Sequence, residues 1–283
     1  MTPEIARLAD LHGRYDAILC DVWGVLHNGV APWSEACQAL QKARQAGLTV
    51  VLITNSPRRR EQVTHQLDAI GVPRESYDRI VTSGDVTRKL IAEGPRSIFF
   101  LGLDRDLTLL DDLDVELADK ASAEAIVCTG PYDDETDRAE DYRKMFQPWV
   151  ERGLPFICAN PDLIVERGDR LVICAGALAA VYADLGGETR ISGKPFRAMY
   201  DAALEHVAEL RGGSVDAARV LAIGDGMPTD VKGAIDYGLD LLYVAGGIHA
   251  RDYTENGRID AVALAGFLEK AGVAPRGWMP RLA

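Results

Sequence analysis

Tyr15-Asp16-Ala17-Ile18-Leu19-Cys20-Asp21-Val22-Trp23-Gly24-Val25 is the stretch on which the fold turns. Tyr15 to Cys20 reads as a buried strand, because a short apolar run bounded by turn-forming residues suits a strand covered on both faces. The run stops at Asp21. A carboxylate straight after such a strand is held rigidly and partly desolvated, which suits a nucleophile or a metal ligand; a structural cap for the following turn is the alternative. Outward from there, Ser34 to Gln45 carries helical periodicity and stops before Gly47. Leu48 to Ile53 is a second strand, ending at Thr54. Ser56-Pro57 reads as an N-cap with proline at the first helical position, opening a helix to about Ile70.

The same alternation continues along the chain. Ser97 to Leu101 is a third apolar run, followed by the acidic stretch Asp104 to Glu116. Strands are predicted at Ala125–Cys128, Pro155–Ala159, Asp169–Ile173, Arg219–Ile223 and Asp240–Val244, and a helix from Phe196 to about Leu210. Short apolar runs alternating with amphipathic stretches indicate an α/β protein built on a parallel sheet. The acidic patches Asp111-Asp112 and Asp133-Asp134-Glu135 read as solvated loops, and Arg58-Arg59-Arg60 as a solvated helix face.

Bulk properties narrow the function. Hydrophobic residues make up 47% of the 283 residues and charged residues 26%, enough for a sizeable core. The formal net charge of -12 argues against a nucleic-acid backbone or an anionic membrane as partner. An anionic substrate must therefore be held by a local site. The five cysteines (Cys20, Cys37, Cys128, Cys158 and Cys174) are scattered, without zinc or redox spacing, and read as buried thiols. Met1-Thr2-Pro3-Glu4 shows no secretory pattern, and no run approaches the roughly 18 apolar residues of a membrane span. The default expectation is a soluble cytoplasmic protein with no membrane partner.

Open parallel sheets bind ligands at the carboxyl ends of their strands, and three predicted strand ends carry polar residues. Asp21 is the first. Thr54-Asn55-Ser56 could hold an anion such as phosphate or simply cap a helix. Gly224-Asp225-Gly226-Met227-Pro228-Thr229-Asp230 places two carboxylates where they could converge on one hard cation. A dinucleotide loop is the other reading, but the third glycine of that fingerprint is missing. Between them, Ser192-Gly193-Lys194-Pro195 offers a lysine, ordinarily solvent-exposed, that near carboxylates and a phosphate would supply balancing charge.

In this order (Asp21, Thr54, Lys194-Pro195, then Gly224-Asp225 with Asp230) the motifs resemble the haloacid dehalogenase superfamily, and the resemblance spans almost the whole chain. Thr54-Asn55-Ser56 is similar to the class IIA branch, which includes nucleotide, sugar-phosphate, nitrophenyl-phosphate and pyridoxal-phosphate phosphatases. The resemblance implies a Rossmann-like doubly wound parallel sheet as the core, residues 1–84 and 190–283, with an α/β cap domain inserted at 85–189. It implies that Asp21 attacks phosphorus, that Thr54, Asn55 and Ser56 hold the phosphoryl oxygens, and that Lys194 neutralises charge. Mg2+ would sit among Asp21, the backbone carbonyl of Trp23 and Asp225, with Asp230 close by. Asn160 and Asp162, in Ala159-Asn160-Pro161-Asp162, resemble the cap loop that faces a small phosphorylated metabolite. A homodimer is implied by resemblance alone.

One position departs from the pattern. Phosphatases of this family carry an aspartate two residues after the nucleophile, which protonates the leaving group and then activates water. Here that position is Trp23, and an indole N–H has no usable acidity. General acid–base help is worth about 10²–10⁴ in rate, so ordinary alkyl phosphates should turn over poorly. His27, which titrates near neutrality, could substitute for it, although a loop histidine outside the chemistry is the favoured reading. The remaining alternatives are a substrate with a good leaving group, a different phosphoryl-site reaction, and a binding or regulatory protein that has lost turnover.

Overall fold

The computed structural model describes residues 2–167 and 170–283. The chain divides into two compact units: residues 1–54, 65–81 and 195–283, and residues 55–64 with 82–194.

The first unit is organised by a six-stranded sheet. In spatial order its strands are Gly277–Met279, Asp240–Val244, Val220–Gly224, Ala17–Asp21, Thr49–Thr54 and Arg79–Thr82. Ala17–Asp21 runs parallel to both neighbours, with Cys20 opposite Ile223 on one side and Asp21 opposite Ile53 on the other. Every residue of Ala17–Asp21, Thr49–Thr54 and Val220–Gly224 is buried. Strands covered on both faces favour apolar side chains on both, which is why these read as continuous apolar runs, broken by polar residues only at strand ends. The helix Ser34–Gln45 buries Ala36, Cys37, Ala39, Leu40 and Ala43, one stripe at helical spacing.

The second unit carries a five-stranded sheet in the order Thr189–Ile191, Phe156–Cys158, Ala125–Cys128, Ser97–Leu101 and Glu116–Leu117, with parallel pairing throughout. One face is packed by an aromatic cluster. Phe146 lies 5.7 Å from Phe156 and 5.5 Å from Tyr182, both edge-on. The polar tips of the cluster are satisfied: Trp149 Nε1 donates to the Lys120 carbonyl at 2.9 Å and the Tyr182 hydroxyl to the Leu154 carbonyl at 2.7 Å. An antiparallel hairpin, Ile164–Arg167 with Arg170–Ile173, completes the unit. The predicted strand Asp169–Ile173 is the second arm of this hairpin; Asp169 itself lies outside the described residues.

Three local expectations are corrected. The helix after Thr54 begins at Arg60, not at Ser56-Pro57. Its first amide is capped from a distance, Arg60 N–H donating to Asp85 Oδ2 at 3.3 Å, while the Ser56 hydroxyl accepts from Arg58 N–H before the helix begins. Asp134 is not a solvated loop residue: Arg167 and Arg105 hold it at 2.6 Å and 3.3 Å, and its side chain is 16% exposed. Of the three arginines, only Arg60 sits on the helix, and Arg58 pairs with the nearly buried Asp106 at 3.1 Å. All five cysteines are free and buried, and no described helix is long and apolar enough to cross a membrane.

Candidate active site

The strand register brings three polar strand ends to one edge of the six-stranded sheet. Asp21 closes its strand, Asp225 follows the strand beside it, and Thr54 ends the strand on the other side. All three are buried, at 6%, 5% and 6% exposure. Asp230 joins them. The chain from Met227 to Val231 is wound as a wide π-type turn, of a kind that recurs at functional sites. This turn folds Asp230 Oδ2 back onto Gly226 N–H at 3.1 Å. One oxygen each from Asp21, Asp225 and Asp230 then lies within 4.8 Å of the others.

Three buried carboxylates so close repel one another and lose their hydration, which is unfavourable unless a cation or protons offset the charge. An all-oxygen, all-anionic donor set suits a hard divalent cation rather than zinc or copper. The surrounding backbone is fitted to this cluster. Asp225 Oδ2 accepts from Ile248 N–H at 2.8 Å. Gly24 has φ +86, and a methyl group there would overlap the Asp225 carboxylate, so both conformation and space demand glycine.

Within the second unit, Asn55, Asn160, Asp162 and Lys194 form a separate knot. Asn55 Nδ2 donates to Asp162 Oδ1 at 2.8 Å and to the Lys194 carbonyl at 3.2 Å, and Asn55 Oδ1 accepts from Lys194 N–H at 2.7 Å. Asn160 Oδ1 accepts from Asp162 N–H at 2.9 Å, closing the Asn160-Pro161-Asp162 turn. Lys194 is buried, at 2% exposure, unlike an ordinary surface lysine.

Comparison with known proteins decides the family. Residues 18–116 match the haloacid dehalogenase-like hydrolase profile, and residues 191–266 match a second profile of HAD-like hydrolases. A crystal structure of a haloacid dehalogenase-like family hydrolase from Brucella suis 1330 is 55% identical. The match covers 99% of this chain and 100% of that one, with a TM-score of 0.89. The chain belongs to the haloacid dehalogenase-like hydrolase family. More distant relatives include an acid sugar phosphatase of Staphylococcus aureus, 25% identical over 86% of this chain and 91% of that protein. A 5'-nucleotidase of Bacillus subtilis is 23% identical over 84% and 90%. These are enzymes of the kind expected from Thr54-Asn55-Ser56, and the chain is a phosphatase-like hydrolase of the family.

For a member of this family the Val22–His27 turn carries the informative side chains. Leu26 N–H and His27 N–H both donate to the Val22 carbonyl, and Gly24 N–H donates to the His27 carbonyl at 2.9 Å. The half-buried Trp23 ring meets the His27 imidazole edge-on, with centroids 5.0 Å apart and planes at 66°. His27 is 2% exposed, and burial pushes its pKa down to about 4. Its Nδ1 accepts from Gly29 N–H at 2.8 Å, which fixes the neutral tautomer with the proton on Nε2. His27 is therefore a structural brace for the turn, held neutral by its burial.

Proposed function

We propose that this hydrolase is a Mg2+-dependent phosphatase for a small phosphorylated metabolite, with Asp21 as nucleophile. The observation that carries the reading is the buried convergence of Asp21, Asp225 and Asp230 at the carboxyl edge of the parallel sheet. In the first displacement, an Asp21 carboxylate oxygen bonds to phosphorus while the phosphorus–oxygen bond to the leaving group breaks. In the second, water attacks phosphorus, inorganic phosphate leaves and the carboxylate is regenerated. Dividing hydrolysis this way replaces one difficult step with two easier ones.

Asp21, Asp225 and the Trp23 backbone carbonyl would hold Mg2+, with Asp230 bonding alongside. A bound divalent cation supplies the charge that offsets repulsion between an anionic nucleophile and a phosphate dianion. The Thr54 hydroxyl and the main-chain N–H groups of Asn55 and Ser56 bind phosphoryl oxygens, and the Lys194 ammonium balances their charge. Residues 85–189 are assigned as the cap segment inserted between the two parts of the core, 1–84 and 190–283. Its Asn160 and Asp162 select the leaving group by hydrogen bonding.

Trp23 shapes what this site can do. With no aspartate at that position and a neutral, buried His27 beside it, nothing on the turn protonates an alkoxide or activates water at neutral pH. The preferred substrates therefore carry a leaving group that departs without protonation, such as an aryl or acyl phosphate, or bring their own acid. The same observation supports a second reading, a phosphometabolite-binding protein without turnover. A screen of phosphorylated metabolites with Mg2+ and with chelator, reading phosphate release and thermal stabilisation together, separates the two. Chelator-sensitive release supports the phosphatase, whereas stabilisation by one metabolite with no release across the panel supports the binding protein.

A further inference from the structure

The Asn55 carboxamide is 4% exposed and its chemistry is committed. Both N–H groups are used, one toward the Lys194 carbonyl and one toward Asp162 Oδ1, and its oxygen receives Lys194 N–H. The orientation of the amide follows from its partners: a main-chain N–H can only face an oxygen, and a main-chain carbonyl can only face an NH2. No side-chain donor is left for a phosphoryl oxygen. Asn55 instead grips Lys194 on both sides of its backbone, as a neighbouring β-strand would.

The segment around Lys194 is built to receive this grip. Gly193 has φ +105, and a methyl group there would overlap the Pro161 ring and Asn55 Oδ1, so the turn presses directly on both. On the other side of Gly193, the buried Ser192 hydroxyl lies 2.5 Å from Thr87 Oγ1. Thr87 donates its own proton to the Ser83 carbonyl at 2.7 Å, so Ser192 is the donor in that pair. Residues 192 and 194 are thus pinned by buried polar side chains from two different segments.

We propose that the Asn55 side chain is a positioning residue that sets the backbone of Lys194, and that it couples this setting to Asp162 on the Asn160–Asp162 turn. The role of Lys194 in the reaction rests on the phosphatase reading above. A four-carbon stem magnifies any tilt at its base, and a displacement of about 1 Å at a reacting group can reduce rate about a hundredfold.

The test is a double-mutant cycle on the full chain with Mg2+ and p-nitrophenyl phosphate, reading kcat, KM and Tm for wild type, Asn55→Ala, Lys194→Ala and the double variant. Asn55→Ala is expected to lower kcat about a hundredfold with KM within about twofold of wild type. Lys194→Ala is expected to lower kcat about 10²–10³-fold, and the double variant to be no slower than Lys194→Ala. Losses that multiply, or a rise in KM with kcat unchanged, would show that Asn55 acts on substrate directly and would overturn the proposal. If Asn55→Ala melts below the assay temperature, Asn55→Ser takes its place in the cycle. If wild type itself releases no phosphate, the phosphatase reading has failed; the same four proteins are then titrated with inorganic phosphate. Non-additive loss of affinity supports the positioning role, and additive loss overturns it.

Discussion

The two parallel sheets put opposite chemistry at the same topological place. At the carboxyl edge of the six-stranded sheet stand Asp21 and Asp225 with Asp230 folded beside them, and Thr54 is their neutral companion. At the carboxyl edge of the five-stranded sheet stand Thr129, Asn160 and Ser192, neutral and buried, and the nearby charges of Asp162 and Lys194 are single rather than clustered, with Asp162 tied to the Asn55 amide. Topology alone would rank both edges as ligand sites. Side-chain chemistry separates them: concentrated charge can hold a cation and attack phosphorus, whereas amides and hydroxyls can only recognise and position.

That contrast can be broken most severely at Asp21. Asp21→Asn keeps the shape but removes the charge and the nucleophile, and phosphate release should fall by about 10⁴-fold or more with Tm maintained or raised. Raised Tm would reflect relief of repulsion in the carboxylate cluster. Activity within tenfold of wild type would place the chemistry elsewhere. Trp23→Asp works in the opposite direction and should raise turnover of alkyl phosphates by about 10²–10⁴-fold. No gain would mean that the indole makes a contribution of its own.

A smaller effect comes from His27. Its folded pKa of about 4 lies below the unfolded value of 6.5, so the unfolded chain takes up the proton first. The associated stability is complete above pH 6.5 and is lost as pH falls toward 4, in total about 3 kcal/mol. Urea unfolding of wild type and His27→Asn should show a stability gap that narrows by that order between pH 7.5 and pH 4. A gap unchanged with pH would contradict a buried neutral imidazole. The smallest change is expected from the neutral edge. Asn160→Ala should alter the kcat/KM ratio between a sugar phosphate and p-nitrophenyl phosphate by about tenfold, and an unchanged ratio would remove Asn160 from recognition.

Sequence alone reached the elements whose burial leaves a local imprint. Ser34–Gln45, Ser97–Leu101, Ala125–Cys128 and Asp240–Val244 are found as expected, because a helix stripe or a short apolar strand carries its pattern within one element. Asp21 and Asp225 were legible through strand ends, although they lie far apart in the chain. What could not be read depends on partners distant in sequence. The cap of the helix starting at Arg60 is Asp85, the burial of Lys194 comes with a clamp from Asn55, and Asp134 is held by Arg105 and Arg167. The four-residue strand Arg79–Thr82, opening on an exposed arginine, is too short to show any period.

The central claim is that Asp21 forms the covalent intermediate while Trp23 deprives its hydrolysis of a general base. Rapid mixing of the protein and Mg2+ with p-nitrophenyl phosphate tests both halves at once. The account predicts a burst of p-nitrophenol of about one per active site, a slow steady state after it, and a phosphoryl adduct on the Asp21 peptide after acid quench. Linear product release with no adduct on Asp21 would contradict it.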